Sequence, residues 1–246
     1  RQEIERESQL FNEYQEIKDE VTPLVDKWFE YFVERLPRQE EVEVDEDSLT
    51  RQGAFNRHSV MKPRNLIFGT VKNPRIIKPS IKPKFLASVM VDVSGSMAGE
   101  KLNMARTQLV FYNELFSKIS SEFGFIRYAN NIFSDNMVEL KGYDQDYESP
   151  QRYDWEDGTR STIKARLMQS LHTQGGTNML PAIQKAAKDL SEETFEYPDY
   201  ASAFYFIGDG QDTAGNAQRI KEFLRLSEGE HGFGNHMLSA IMLGDE

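Results

Sequence analysis

From residue 84 onward, the chain alternates between short apolar runs and longer segments in which apolar residues recur every three or four positions. Short apolar runs predict buried strands, and the longer spacing predicts helices with one apolar face. The predicted strands are 85–91, 122–128, 203–208 and 238–243, with 137–141 as an additional edge strand. The predicted helices are 99–120, 162–171, 179–190 and 214–227. This order predicts an α/β fold, a doubly wound and mostly parallel sheet with helices on both faces.

The first 83 residues have a different pattern. Residues 4–36 carry apolar side chains at helical spacing, and Thr22-Pro23 has the form of a helix N-cap followed by a first-turn proline. We therefore expect two helices here, or one helix with a kink. An acidic segment follows, and then a basic, proline-rich stretch with a short strand predicted at 66–71. The predicted organisation is an N-terminal helical segment (1–38), a linker (39–83) and an α/β domain (84–246).

Composition and charge exclude several classes of function. With 39% hydrophobic and 28% charged residues, the chain has the balance of a globular protein, and its apolar runs fall far short of the roughly 20 residues that a membrane span needs. The net charge of -11 argues against general nucleic-acid binding, because it repels a phosphate backbone. The absence of cysteine excludes disulfides, thiol catalysis and cysteine-bound zinc. It is compatible with a reducing compartment, and we expect a cytoplasmic protein.

Three short segments carry the polar residues that suggest chemistry. They contain two carboxylates and three hydroxyls: Asp92, Ser94 and Ser96 after the first predicted strand, Thr177 after two glycines at a helix start, and Asp209 at the end of a later strand. In a doubly wound sheet these positions lie along one rim, outside the carboxyl ends of the strands. Carboxylates and neutral hydroxyls together suit a hard divalent cation, so the segments predict one metal site. Taken alone, the first segment could instead be a strand-to-helix turn with a capping serine.

Together these segments resemble the metal ion-dependent adhesion site (MIDAS) of von Willebrand factor type A (VWA) domains. The likeness rests on a D-x-S-x-S string, a Gly-Gly-Thr turn and a strand-terminal Asp-Gly in that order, and it covers about residues 84–243. It implies a Rossmann-like domain that holds Mg²⁺, or else Mn²⁺ or Ca²⁺. The implied ligands are Asp92, Ser94, Ser96, Thr177 and Asp209. In such domains the serines coordinate directly, the threonine joins in one conformation, and the two aspartates act directly or through water. The resemblance also implies a protein-binding function, in which an acidic side chain of a partner completes the coordination.

The upstream residues resemble a subgroup of that family. A helical segment, an acidic linker and a basic extended stretch before the first strand are similar to the arrangement in intracellular proteins that carry a VWA domain at their C-terminus. Those proteins work with MoxR-type AAA+ ATPases, so the resemblance implies an adaptor of a larger complex. Other bacterial or archaeal proteins with the same domain remain an alternative. The chain begins at Arg1 and ends soon after the last predicted strand, and we expect a fragment of a longer protein.

Other functions have weaker support in the sequence. A VWA scaffold whose metal is purely structural fits the same motifs. A Mg²⁺-dependent phosphoryl-transfer enzyme would need a second acid near Asp92, where the chain has Ser94, and a lysine near Asp209, where we expect none. The chain has neither a G-x-S-x-G elbow nor a Walker A loop. We therefore expect a binding module and not an enzyme.

A long loop predicted at 142–159 is rich in aspartate and tyrosine. We expect its acidic residues, and Asp135 before it, to be solvated rather than to form a second metal site. Its aromatic residues either anchor a partner or pack back onto the domain. These residues are Tyr143, Tyr147, Tyr153 and Trp155. The sequence does not decide between the two interpretations.

Overall fold

The computed structural model describes residues 2–35, 54–55, 75–76, 84–124, 126–225 and 237–243. The elements in chain order are α1 (Gln2–Arg35), β1 (Ala54–Phe55), β2 (Arg75–Ile76), β3 (Phe85–Asp92), a 3₁₀ turn (Gly95–Met97), α2 (Glu100–Phe123), β4 (Ile126–Phe133), β5 (Met137–Lys141), β6 (Tyr153–Asp154), β7 (Arg160–Ser161), α3 (Ile163–Ser170), α4 (Met179–Glu196), β8 (Ala201–Gly208), α5 (Ala217–Arg225) and β9 (Met237–Met242). Within these ranges no helix is both long enough and apolar enough to cross a membrane.

Five of the strands form one sheet in the order β5-β4-β3-β8-β9. The neighbouring pairs are parallel except for β4 and β5, which are antiparallel. Parallel neighbours need crossover connections, and the helices between these strands provide them. The structure therefore confirms the predicted α/β fold, a Rossmann-like, mostly parallel sheet preceded by an N-terminal helix.

The central strand β3 is buried on both faces. Because side chains alternate along a strand, Ala87, Val89 and Val91 enter one apolar core, and Leu86 and Met90 enter another. The first core is shared with α1, α2 and α3, and the second with α4 and α5. Burial of apolar surface contributes roughly 25 cal/mol per Å², so a strand buried on both faces is held firmly. The residues at its carboxyl end are positioned accordingly.

Several predicted boundaries are wrong. Helix α2 continues to Phe123, so the residues predicted to start a strand at 122 are helical, and β4 begins only at Ile126. Gly124 ends the helix with a φ of 67° and donates its N–H to the Ser120 carbonyl at 2.8 Å. Glycine is favoured at this position because other residues rarely adopt a positive φ. The edge strand has its predicted bounds, whereas α4 extends past the predicted 190 to Glu196.

Helix α1 runs without interruption through Pro23. The expectation of a new helix start at Thr22 is wrong, because its hydroxyl donates to the Lys18 carbonyl at 2.7 Å, one turn earlier, and caps no helix. Val21 and Val25 flank the proline and are buried in the same core. Tertiary packing on both sides of Pro23 therefore outweighs the local preference for a break.

Helix α1 packs along α2. The rings of Phe29 and Phe32 lie 6.1 and 6.2 Å from the ring of Phe123, between centroids. Lys18 forms an ion pair with Glu114 of α2 at 2.8 Å. The N-terminal helix is thus joined to the sheet domain by an aromatic contact at one end and an ion pair nearer the middle.

The chain divides into two compact units, Arg1–Glu34 with Pro83–Glu246, and Arg35–Lys82. In the second unit the described residues are Arg35, the last residue of α1, and those of β1 and β2, which pair in antiparallel fashion. The strand predicted at 66–71 lies outside the described residues. The division into 1–38, 39–83 and 84–246 stays a prediction.

The aromatic residues of the 142–159 loop pack back onto the domain. Tyr147 is buried, and its hydroxyl hydrogen-bonds to that of Tyr14, which also donates to Glu114. The Trp155 indole donates to the Ser161 hydroxyl at 3.1 Å, across the β6–β7 hairpin. Of the two interpretations left open by the sequence, the structure supports packing onto the domain.

Lys141, the last residue of β5, is a lysine with only 2% of its surface exposed. Its Nζ donates to the carbonyls of Tyr128 and Gly142 and lies 3.8 Å from the centre of the Tyr128 ring. Burial disfavours the charged amine and lowers the pKa of Lys141 from 10.5 to about 7. The sheet edge therefore contains a group that titrates near neutral pH.

Candidate metal centre

The carboxyl ends of β3 and β8 place two of the predicted ligands side by side. The strands are parallel neighbours with Val91 opposite Ile207, so Asp92 at the end of β3 lies beside Gly208 and Asp209. Glycine is required at position 208, because a Cβ atom there would lie 2.8 Å from the Asp92 Cβ. The sheet register therefore brings both carboxylates to one rim of the sheet.

Asp92 is fully buried, and one of its carboxylate oxygens lacks a hydrogen-bond partner. Its Oδ1 accepts the Ser94 backbone N–H at 2.8 Å. Its Oδ2 has no donor among the residues that the structure describes. A buried carboxylate oxygen is costly unless a donor or a cation compensates it. A cation bound at Asp92 would compensate this free oxygen.

The electrostatic environment of Asp92 also favours a cation. Burial is the main cause that raises the pKa of Asp92, and the negative charge of Asp209 adds to it, whereas hydrogen bonds from Ser94 oppose the rise. Both effects raise the pKa because the negative charge of Asp92 lacks a compensating positive charge. The rim thus has the character of a cation site.

Two serine hydroxyls stand next to this carboxylate. The Ser94 and Ser96 Oγ atoms are 3.0 Å apart, and Ser94 is buried. The 3₁₀ turn that contains Ser96 is closed by the Met97 N–H, which donates to the Ser94 carbonyl at 3.0 Å. Neutral oxygens beside a carboxylate are the donors that hard divalent cations prefer.

Backbone hydrogen bonds hold the Gly-Gly-Thr turn against the first loop. The Gln174 N–H donates to the Val93 carbonyl at 2.8 Å, and the Gly95 N–H donates to the Gly175 carbonyl at 3.2 Å. Thr177 follows this turn and is 2% exposed. These bonds bring the second predicted segment to the same rim as the first.

The loop after Asp209 joins the third segment to the second. The Thr177 N–H donates to the Thr213 hydroxyl at 2.8 Å, and the Thr213 N–H donates to the Thr177 carbonyl at 3.1 Å. Asp212 Oδ1 accepts the N–H of Met179, the first residue of α4, at 3.1 Å. The sequence did not single out these two supporting residues. Asp and Thr are residue types whose side chains accept hydrogen bonds from the free N–H groups of a helix N-terminus. Their position soon after a strand-terminal Asp is the sequence signal that could have identified them.

Asp135 also supports the site rather than being solvated as predicted. Its Oδ1 accepts the Gly176 N–H at 3.2 Å, and a Cβ at Gly175, where φ is 61°, would lie 2.2 Å from its Oδ2. Two acidic residues of the 142–159 loop instead form ion pairs with arginines, Asp144 with Arg127 and Asp157 with Arg166. In the described part of the chain, no group of three or more His, Asp or Glu side chains could hold a metal ion. The candidate centre therefore depends on hydroxyl oxygens as well as carboxylates.

A lysine that the sequence did not predict stands beside Asp209. Lys101 Nζ lies 3.5 Å from Asp209 Oδ2, while Asp209 Oδ1 accepts the Gln211 N–H at 3.1 Å. The expectation that no lysine would lie near Asp209 is wrong. Lys101 comes from the first turn of α2, 108 residues earlier in the chain, and not from a position after a later strand.

The structure thus places all five predicted residues on the loops of one rim. Ser94 contacts both Asp92 and Ser96. Thr177 and Asp209 lie in the loops that backbone and side-chain hydrogen bonds connect to this segment. The oxygen donors and the unpartnered Asp92 Oδ2 fit a divalent cation. Their roles as ligands stay a prediction.

No family model matches the chain, and no curated protein matches it in sequence. Similar solved structures include proximal thread matrix protein 1 from the mussel byssus (17% identity, TM-score 0.39, covering 67% of this chain and 37% of that one). Another is the vWF domain of the pilus tip protein Mfa5 from Porphyromonas gingivalis (11% identity, TM-score 0.35, 54% of this chain and 40% of that one). A third is an aerotolerance-related membrane protein from Bacteroides fragilis (15% identity, TM-score 0.38, 65% and 68%).

The chain spans less than half the length of the first of these structures, the mussel protein, which has also been solved with a zinc-occupied MIDAS motif. At these TM-scores the likenesses carry no argument about this chain. The function proposed next is supported by the residues of the rim.

Proposed function

We propose that this chain is a metal-dependent protein-interaction module of the VWA type, whose MIDAS-like site captures an acidic side chain of a partner. One observation carries the proposal: the buried Asp92 has an oxygen without a donor, beside the hydroxyls of Ser94 and Ser96. The ion would be held by Asp92, Ser94, Ser96, Thr177 and Asp209. We propose Mg²⁺, with Mn²⁺ or Ca²⁺ as alternatives.

The chain's own residues prepare the site before any partner binds. The Ser94 N–H holds Asp92, the Gln211 N–H holds Asp209, and backbone hydrogen bonds join the loops. Little ordering is then left for the binding step, which favours affinity. A divalent ion would supply an electrophilic centre if the two aspartates act through water, because the groups that coordinate it directly would then be neutral hydroxyls. A carboxylate is the side chain that such a centre attracts.

At the cellular level, we propose a cytoplasmic adaptor in a larger complex such as a MoxR-type AAA+ ATPase system. The support is the order of the segments, with a helix packed against the sheet domain and a charged stretch between them. We propose no catalytic step for this chain, because Ser94 stands where a phosphoryl-transfer enzyme would need a second acid. A purely structural metal is the alternative that the following experiment distinguishes.

The experiment combines a calorimetric titration with Mg²⁺ and capture of partners from cell extract on the immobilised chain. We expect saturable Mg²⁺ binding and a partner that EDTA releases. Asp189→Ala, on the exposed side of α4, is the matched control and should behave as wild type. Metal binding without an EDTA-sensitive partner would support the structural alternative, and no metal binding would contradict both.

Replacement of Thr177 by alanine should weaken partner capture more than metal binding. One neutral hydroxyl is a small part of the metal's shell, whereas Thr177 is the implied ligand that joins in only one conformation and is therefore the one that should respond most to an incoming partner. We expect partner affinity to fall at least about tenfold while Mg²⁺ affinity falls by less than about threefold. Calorimetry measures the Mg²⁺ affinity, and surface plasmon resonance measures the affinity for the captured partner. Thr107→Ala on α2 is the control, and an equal loss of both affinities would contradict this role of Thr177.

A further inference from the structure

The ammonium group of Lys101 is paired with Asp209, one of the five predicted metal ligands. Its Nζ is 3.5 Å from Asp209 Oδ2, and both side chains are largely buried, at 12% and 2% exposure. Salt and water screen a partly buried pair less than an exposed one, so the interaction is not a fluctuating surface contact. The ammonium therefore competes electrostatically with a divalent ion for the negative charge of Asp209.

The position of Lys101 in its helix is locally unfavourable. It lies in the first turn of α2, directly after Glu100, where the helix dipole favours negative side chains and disfavours positive ones. Its interaction with Asp209, directly after β8, offsets this local cost.

We propose that Lys101 is an internal counter-ion of the metal site, which neutralises Asp209 in the metal-free chain and lowers the affinity of the site for divalent cations. This inference rests on the proposed function. It adds a residue that sets the concentration of divalent cation at which the site is occupied and can capture a partner. By linkage, an interaction made only in the metal-free state opposes metal binding by the free energy of that interaction. Removal of the charge should therefore have opposite effects on metal-free stability and on metal affinity.

The test compares two neutral variants, Lys101→Met and Lys101→Gln, with the charge-conserving Lys101→Arg. We expect both neutral variants to bind Mg²⁺ at least about tenfold more tightly than wild type in calorimetry, since one unit of competing charge is lost. In EDTA the same two variants should melt at a lower temperature than wild type, because the buried Asp209 loses its counter-ion. Lys101→Arg should stay within about threefold of the wild-type affinity.

Lys118→Met is the matched control, because Lys118 lies on the same helix and pairs with Asp26, away from the rim. It removes the same net charge and should leave the Mg²⁺ affinity unchanged. A merely structural role of Lys101 would lower stability and metal affinity together. Unchanged or weaker Mg²⁺ binding by the neutral variants would overturn the inference while wild-type binding still supports the proposed function. If wild type and every variant bind no divalent cation, the proposed function fails first.

Discussion

The Asp92→Ala variant is expected to lose divalent-cation binding and to keep its fold. Mg²⁺ affinity should fall at least about 100-fold, because the variant removes the carboxylate with the free oxygen at the centre of the rim. In EDTA the free energy of unfolding should change by less than about 1 kcal/mol. The lost hydrogen bond to the Ser94 N–H is offset by relief of a buried charge. Calorimetric titration and urea unfolding measure the two quantities.

Two features of this experiment make it decisive. Asp189→Ala removes an aspartate from the surface of α4 and controls for the change in net charge. The urea unfolding in EDTA separates a lost ligand from a lost fold. Unchanged Mg²⁺ affinity in Asp92→Ala would contradict the assignment of the metal centre.

The second large effect is expected at Lys141, where stability should depend on pH. The pKa of this group is 10.5 when exposed and about 7 in the folded chain. Between these values the unfolded chain binds a proton that the folded chain does not, so stability rises with pH through this window. The slope for one group is about 1.4 kcal/mol per pH unit. Below about pH 7 the cost of burying the charged amine is fully present.

The measurement is the free energy of unfolding of wild type and Lys141→Met at pH 7.5, 8.5 and 9.5. Wild type should gain stability relative to the variant at each step, because methionine fills the space without titrating. The charged groups that act on Lys141 are Asp146, Glu139, Arg127 and Asp144. Lys188→Met, an exposed lysine on α4, is the control and should show no such trend. Parallel stability curves for wild type and Lys141→Met would show that the buried amine keeps an ordinary pKa.

The core of the candidate site could be predicted because its signals are local. Asp92, Ser94 and Ser96 lie within five positions, directly after an apolar run that has the length of a strand. A buried strand places its next residues at the rim of a sheet, whatever the rest of the chain does. Asp209 could be predicted in the same way, because it directly follows an apolar run of strand length.

The supporting residues could not be predicted, because they depend on contacts between distant segments. Lys101 reaches Asp209 across 108 positions, and Asp135 reaches Gly176 across 41. Such pairs depend on helix rotation and loop geometry, which one sequence without its fold does not contain. The same reason explains why the sequence around Pro23 predicts two helices, or one helix with a kink, where the structure has one continuous α1. The buried Val21 and Val25 that hold the helix together find their partners in the sheet domain.

The docking of α1 also has a consequence for the time course of synthesis. Tyr14 bonds to Glu114 and Tyr147, which lie 100 and 133 positions later. At roughly 5 to 20 residues per second, the ribosome makes Tyr147 about 7 to 27 s after Tyr14. An isolated helix has little stability of its own in water. During that interval the apolar stripe of α1 therefore lacks the surface on which it packs, and α1 reaches its final contacts only after Tyr147 has been made.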